Sequence, residues 1–164
     1  MKGAAGVLAV AALAQAAPFE IRNWAGALRA SIWDGDYDRG LGATGGAEAH
    51  FPWGAGFAQL GYSYFHPRYA PLNAVHEIEA IAGSKWEFRP AEKSPVYPRL
   101  GWHAGVSFNW EAKPHFIVGV DAEGVIPLRK KPSLFAAFQP GYSMGARNRM
   151  FWRVALGILF HVKP

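Results

Sequence analysis

Through most of this chain apolar side chains alternate with small or polar ones at every second position, a period that fits strands and no amphipathic helix. Eight stretches carry the pattern. In the first, Trp24, Gly26, Leu28, Ala30 and Ile32 oppose Ala25, Ala27, Arg29 and Ser31; in the second, Leu41, Ala43, Ala47, Ala49 and Phe51 oppose Gly42, Thr44, Gly46, Glu48 and His50. The third sets Ala58, Leu60, Tyr62 and Tyr64 against Gln59, Gly61 and Ser63, and the fourth sets Ile78, Ala80, Ala82, Trp86 and Phe88 against Glu77, Glu79, Lys85 and Glu87. The fifth is the cleanest, with Leu100, Trp102, Ala104, Val106, Phe108 and Trp110 opposite Arg99, Gly101, His103, Gly105, Ser107 and Asn109. Phe116, Val118, Val120 and Ala122 oppose Gly119, Asp121 and Glu123 in the sixth; Leu134, Ala136, Phe138, Tyr142 and Met144 oppose Gln139, Gly141, Ser143 and Arg147 in the seventh. In the last, Met150, Trp152, Val154, Leu156, Ile158 and Phe160 oppose Arg153, Ala155, Gly157 and His161. Turn signals rich in Pro, Gly and Asp separate them, among them Asp34-Gly35-Asp36, Pro52-Trp53-Gly54 and Lys113-Pro114. Eight strands with short connections form an up-and-down meander, and closing it leaves no exposed edge.

Alternation alone does not say which face is wet. Three features favour an apolar exterior. The other face is mostly Gly, Ala, Ser and Thr with scattered charges, which suits the narrow interior of an eight-stranded barrel better than a water-exposed surface. Aromatic residues sit towards strand ends (Trp24, Trp33, Tyr64, Trp86, Phe88, Trp110, Trp152 and Phe160), where a membrane barrel carries its two interfacial girdles. Several segments also reach the ~9–11 residues that a tilted strand needs to span hydrocarbon. Past the N-terminus no run of roughly 18 apolar residues occurs, so a helical membrane protein is excluded. The alternative on this pattern is a soluble, lipocalin-like periplasmic carrier with its apolar face inside.

Residues 1–16 read as a cleaved signal peptide, with Lys2, an apolar stretch from Gly3 to Leu13 and the small-x-small site Ala14-Gln15-Ala16. Residues 17–164 are then the barrel domain. The chain has no cysteine, which excludes disulfides, thiolate metal sites and a cysteine nucleophile. Its net charge of +5 is dispersed except at Arg129-Lys130-Lys131, and no nucleic-acid-binding module is recognisable.

With its leader, eight segments and final apolar-aromatic strand, the chain resembles the small bacterial outer-membrane barrels of the OmpA and OmpX kind. The resemblance is one of architecture. It implies a closed eight-stranded antiparallel up-and-down transmembrane β-barrel in the cell outer membrane, contacting lipid and lipopolysaccharide as a monomer. It also implies insertion by the barrel-assembly machinery through the last strand, here Trp152, Val154, Leu156, Ile158 and Phe160. The chain continues past Phe160 through His161-Val162-Lys163-Pro164.

Parity directs Arg29, Glu48, His50, Gln59, Glu77, Glu79, Lys85, Glu87, Arg99, His103, Asp121, Glu123, Arg147, Arg153 and His161 inward. Buried charges of both signs should pair. Centring one hairpin on Glu111-Ala112-Lys113 puts His103 opposite Asp121, and centring another on Ser94 puts Lys85 near His103 and Glu87 diagonal to Arg99. The expected result is a cluster of Lys85, Glu87, Arg99, His103, Asp121 and Glu123 that plugs the lumen, with a narrow channel as the alternative. A lipid A-modifying enzyme would need a nucleophile beside a base. His103 and Ser107 lie four residues apart on one strand, ~13 Å, and do not pair directly. Asp34, Asp36 and Asp38 imitate a calcium loop, but Gly45 stands where its bidentate Glu belongs, so neither metal nor cofactor is expected. The connections after strands 1, 3, 5 and 7 are short, which disfavours a receptor or adhesin role.

Overall fold

The computed structural model describes residues 23–35, 38–67, 74–88, 95–109, 114–128, 132–145 and 148–162. The expected signal peptide, Trp110, Arg147 and the Arg129-Lys130-Lys131 turn lie outside these. The described chain forms eight strands: β1 (Asn23–Gly35), β2 (Asp38–Phe51), β3 (Gly54–Pro67), β4 (Val75–Glu87), β5 (Tyr97–Asn109), β6 (His115–Pro127), β7 (Ser133–Met144) and β8 (Arg149–Val162). Each pairs antiparallel with the next, and β8 returns to β1, closing the barrel. Strands of 12–14 residues are long enough to cross hydrocarbon at a tilt.

The face assignment follows from the burial pattern. Leu28, Ile32, Leu60, Phe116, Val120, Leu156 and the aromatics Trp24, Trp86, Trp102 and Phe138 all stand exposed on the outer wall. Arg99, Arg153, Lys85 and Gln139 are fully buried inside. A water-soluble carrier requires the reverse arrangement, since so continuous an apolar exterior would drive aggregation in water. No helix among the described residues is long and apolar enough to cross a membrane.

Among the described residues, two apolar clusters occupy the interior. Ala27, Val125, Phe135, Ala137, Ala155 and Leu159 lie towards the end that carries Asn23 and Val162, here the termini end. Trp33, Phe65, Ile117 and Phe151 lie at the far end. Residues of this size point into the interior of an eight-stranded barrel, which is narrow.

The β6–β7 ladder lapses once. Pairing runs from Phe116↔Met144 to Gly119↔Gly141, then resumes at Ala122↔Phe138. Pro140 sits in the gap, and proline has no N–H to give the ladder. Side chains bridge the lapse: Gln139 Nε2 donates to Asp121 Oδ1 across these two strands.

Candidate functional site: the charged lumen

The inward charges are not scattered. At the termini end, Arg99 of β5 reaches three carboxylates: Nη2 is 2.6 Å from Glu48 Oε2, Nη1 is 3.3 Å from Glu123 Oε2, and Nε is 3.6 Å from Glu87 Oε1. Lys85 Nζ lies 3.1 Å from Glu48 Oε1 and 2.8 Å from Glu123 Oε1. Arg29 Nη2 adds a 3.2 Å bond to Glu123 Oε1, and His50 Nδ1 is 3.2 Å from Glu87 Oε1. Five strands therefore meet in one network, and the side chains of Arg29, Glu48, Lys85, Arg99 and Glu123 are at most 1% exposed.

Three further inward groups lie apart from it. His103 Nδ1 is 2.9 Å from Asp121 Oδ2, and Asp121 is also held by Gln139. Arg153 makes a two-pronged bond with Glu79, Nη1 to Oε1 at 2.9 Å and Nη2 to Oε2 at 3.2 Å. Such paired N–H···O contacts fix a guanidinium in one plane. Towards the far end, Glu77 accepts from Arg149 Nη2 at 2.9 Å and from Ser107 Oγ at 2.8 Å.

Inward aromatic rings lie against four of the cations. Arg153 lies 3.6 Å from the centre of the Trp33 ring, Lys85 4.2 Å from Phe57, Arg29 5.0 Å from Phe135 and Arg149 5.1 Å from Phe65. The ring faces offer partial negative charge where water has been removed. Each of these four cations thus has both a carboxylate and a π-face.

The structure corrects several expectations. Trp33 does not belong to the girdle: it is inward and 4% exposed, because it follows outward Ile32 and strand parity outranks closeness to a strand end. Trp24, Tyr64, Trp86, Phe88, Trp152 and Phe160 do stand on the outer wall. Both hairpin registers differ by two residues from expectation. His103 pairs with Gly119, Gly101 with Asp121, Lys85 with Gly101, and Glu87 directly with Arg99. A shift of two preserves the face, so His103 and Asp121 still meet, now diagonally. The expected six-residue cluster consequently divides, with His103 and Asp121 forming one group. Lys85, Glu87, Arg99 and Glu123 form another with Arg29, Glu48 and His50.

Sequence reasoning missed Arg149 and the inward rings Phe57, Phe65, Phe135 and Phe151. Extending the alternation of Arg153 and Phe151 back by two would have found Arg149. Counting parity rather than polarity would have found the rings. It also missed an outward group on β3 and β4, where Tyr62 Oη and His76 Nδ1 share a hydrogen bond and the Tyr64 ring packs edge-on against His76, centroids 5.2 Å apart. Ser107 and His103 do not meet: Ser107 donates to Glu77 and His103 pairs with Asp121, whereas Ser133 Oγ on β7 lies 3.1 Å from His161 Nε2 on β8. Among the described residues, no group of three or more His, Asp or Glu is placed to hold a metal ion.

No protein-family description and no curated protein sequence matches the chain. Solved structures do. Neisserial surface protein A superimposes with a TM-score of 0.63 at 13% identity, over 84% of this chain and 94% of that one. A de novo designed transmembrane β-barrel gives a TM-score of 0.51 at 17% identity, over 87% of this chain and 98% of that one. Likeness at such low identity lies in the backbone path, and together with the closed ladder it establishes the architecture: the chain has the fold of the small eight-stranded outer-membrane β-barrels.

Proposed function

We propose that this chain is an integral outer-membrane protein whose lumen is closed by its own side chains. Its role is then structural, or that of an anchor for a partner, and not conduction. The observation that carries this reading is Arg99, fully buried and held by carboxylates from β2, β4 and β6. A guanidinium held from three strands spans the narrow interior, and opening a path would strand buried charges without partners. The fold shared with Neisserial surface protein A supports placement in the outer membrane, with the apolar belt facing lipid and lipopolysaccharide.

The test is conductance of the purified barrel in planar bilayers bathed in concentrated potassium chloride. A closed lumen gives the baseline of protein-free bilayers. Regular single-channel steps would overturn the reading in favour of a narrow channel. Unaltered lipid A in the mass spectrum of expressing cells is expected, and a new lipid A species would establish an enzyme instead.

A further inference from the structure

Nearly all of the outer wall is apolar, and its exceptions are gathered in one place. Among the described residues, the outward ionisable side chains other than tyrosine are Asp34 on β1, Arg39 on β2, His66 on β3 and His76 on β4, all at the far end. The register sets them side by side. Asp34 pairs with Arg39 and Arg39 with His66, making one row across three strands. The next row towards mid-strand runs Ile32, Leu41, Tyr64 and His76, and the one after it Ala30, Ala43, Tyr62 and Ile78. Side chains directly opposite on neighbouring strands start ~5 Å apart and diagonal ones ~7–8 Å apart, so Arg39, His66 and His76 can reach one common point outside the wall. The far ends of β5 to β8 differ: Phe108, Phe116, Met144 and Met150 stand exposed there.

We propose that Arg39, His66 and His76 form an interfacial site for the phosphate of an anionic membrane lipid, a phosphomonoester whose acyl chains lie along the wall below. Arg39 is loosely held. Its Nε is 3.8 Å from Asp34 Oδ1 and its side chain is 73% exposed, and an exposed ion pair of this kind contributes little. Its guanidinium fork matches phosphate oxygens. His76 is oriented: its Nδ1 shares a hydrogen bond with the Tyr62 hydroxyl, and the Tyr64 ring packs edge-on against it. A hydroxyl donating to Nδ1 keeps the proton of the neutral ring on Nε2, where a ligand can accept it. A soluble anion could use these donors equally. Below them, however, the wall continues without a break into exposed Leu41, Tyr62, Ile78 and Leu60, which only a ligand with a hydrocarbon part would cover. The inference rests on the proposed placement in a membrane and holds whichever end faces the cell exterior.

The test is native mass spectrometry of the folded barrel released from detergent micelles. The micelles contain equal amounts of phosphatidic acid, phosphatidylcholine and diacylglycerol with the same acyl chains. Phosphatidic acid should be retained in preference to both, since choline caps the phosphate of one and the other has none. Arg39→Gln combined with His66→Asn and His76→Asn should remove the preference, with retention falling about fivefold for each basic side chain lost. Tyr62→Phe keeps the ring but releases His76, and should weaken retention by less. Should the triple variant not fold, the three single substitutions test the same point. Equal retention of the three lipids overturns the proposal, as does a preference that the substitutions leave unchanged. Displacement of the lipid by inorganic phosphate would identify a site for a soluble anion and overturn the lipid assignment. A barrel recovered from the outer-membrane fraction that retains the three lipids equally refutes this site alone. Recovery from the soluble fraction refutes the membrane placement on which it rests.

Discussion

Arg99 shows how much depends on a single inward side chain. It is fully buried and is the common neighbour of Glu48, Glu87 and Glu123. Arg99→Met keeps much of the volume but leaves those carboxylates facing one another with Lys85, Arg29 and His50 as their remaining partners. Removing one member of a buried ionic group costs about 3–5 kcal/mol, and urea unfolding in detergent or short-chain lipid should show a loss of that size. Glu48→Gln added to Arg99→Met should recover part of it, because contacting residues are not additive. Equal, additive losses would mean that the two groups do not share a network. The charges of this network were legible in the sequence, since a Glu, Lys or Arg within an otherwise apolar alternation has one tolerable direction. The rings beneath them were not, because Phe and Trp suit either face of a membrane barrel and only strict parity separates Trp33 from Trp24.

Parity survives errors of register, which explains what was readable at the level of strands. Both misjudged hairpins are displaced by two residues, so every side chain keeps its face while its neighbour changes. The sequences joining these strands, residues 89–94 and 110–113, contain no Asn-Gly or Asp-Gly pair that would fix a hairpin register. Contact partners were therefore less legible than burial. Strand β7 offers a direct test of the ladder. Pro140 interrupts its pairing with β6, although Gly141 and Phe138 on either side are paired. Pro140→Thr supplies an N–H and a strand-forming side chain, and the barrel should gain on the order of 0.5–1.5 kcal/mol in unfolding free energy. A loss would mean that the proline's fixed backbone angle matters more there than the missing bond. The outer wall gives a second test, of depth. Leu60 stands midway along β3 and Tyr64 near its far end, both outward. Leu60→Arg should cost about 2–4 kcal/mol in a bilayer and Tyr64→Arg about 0–1. Equal costs at the two positions would be inconsistent with hydrocarbon at mid-strand.

For the molecule as a whole, closure of β8 on β1 decides how it comes apart. Their ladder runs from Trp24↔Val162 to Gly35↔Phe151, comparable in length with the internal seams, so no edge is left from which a strand could peel. Apart from the lapse at Pro140, the ladders pair the backbone within the wall, and the interior is tied across by Arg99 and by Arg153 with the Trp33 ring beneath it. Detergent that binds the outer belt therefore meets no open edge, and unfolding should need heat enough to break the ring as a unit. The expected consequence is a gel band that migrates differently before and after boiling in dodecyl sulfate, recovered from the outer-membrane fraction of expressing cells. Arg99→Met should lower the temperature at which the boiled form first appears, since it loosens the interior without touching the seam. A protein found in the soluble fraction, with one band regardless of heating, would contradict the membrane assignment at its root. An apolar belt around a closed ladder is stable in lipid, whereas in water it would expose Leu60, Phe116, Leu156 and their neighbours along every strand.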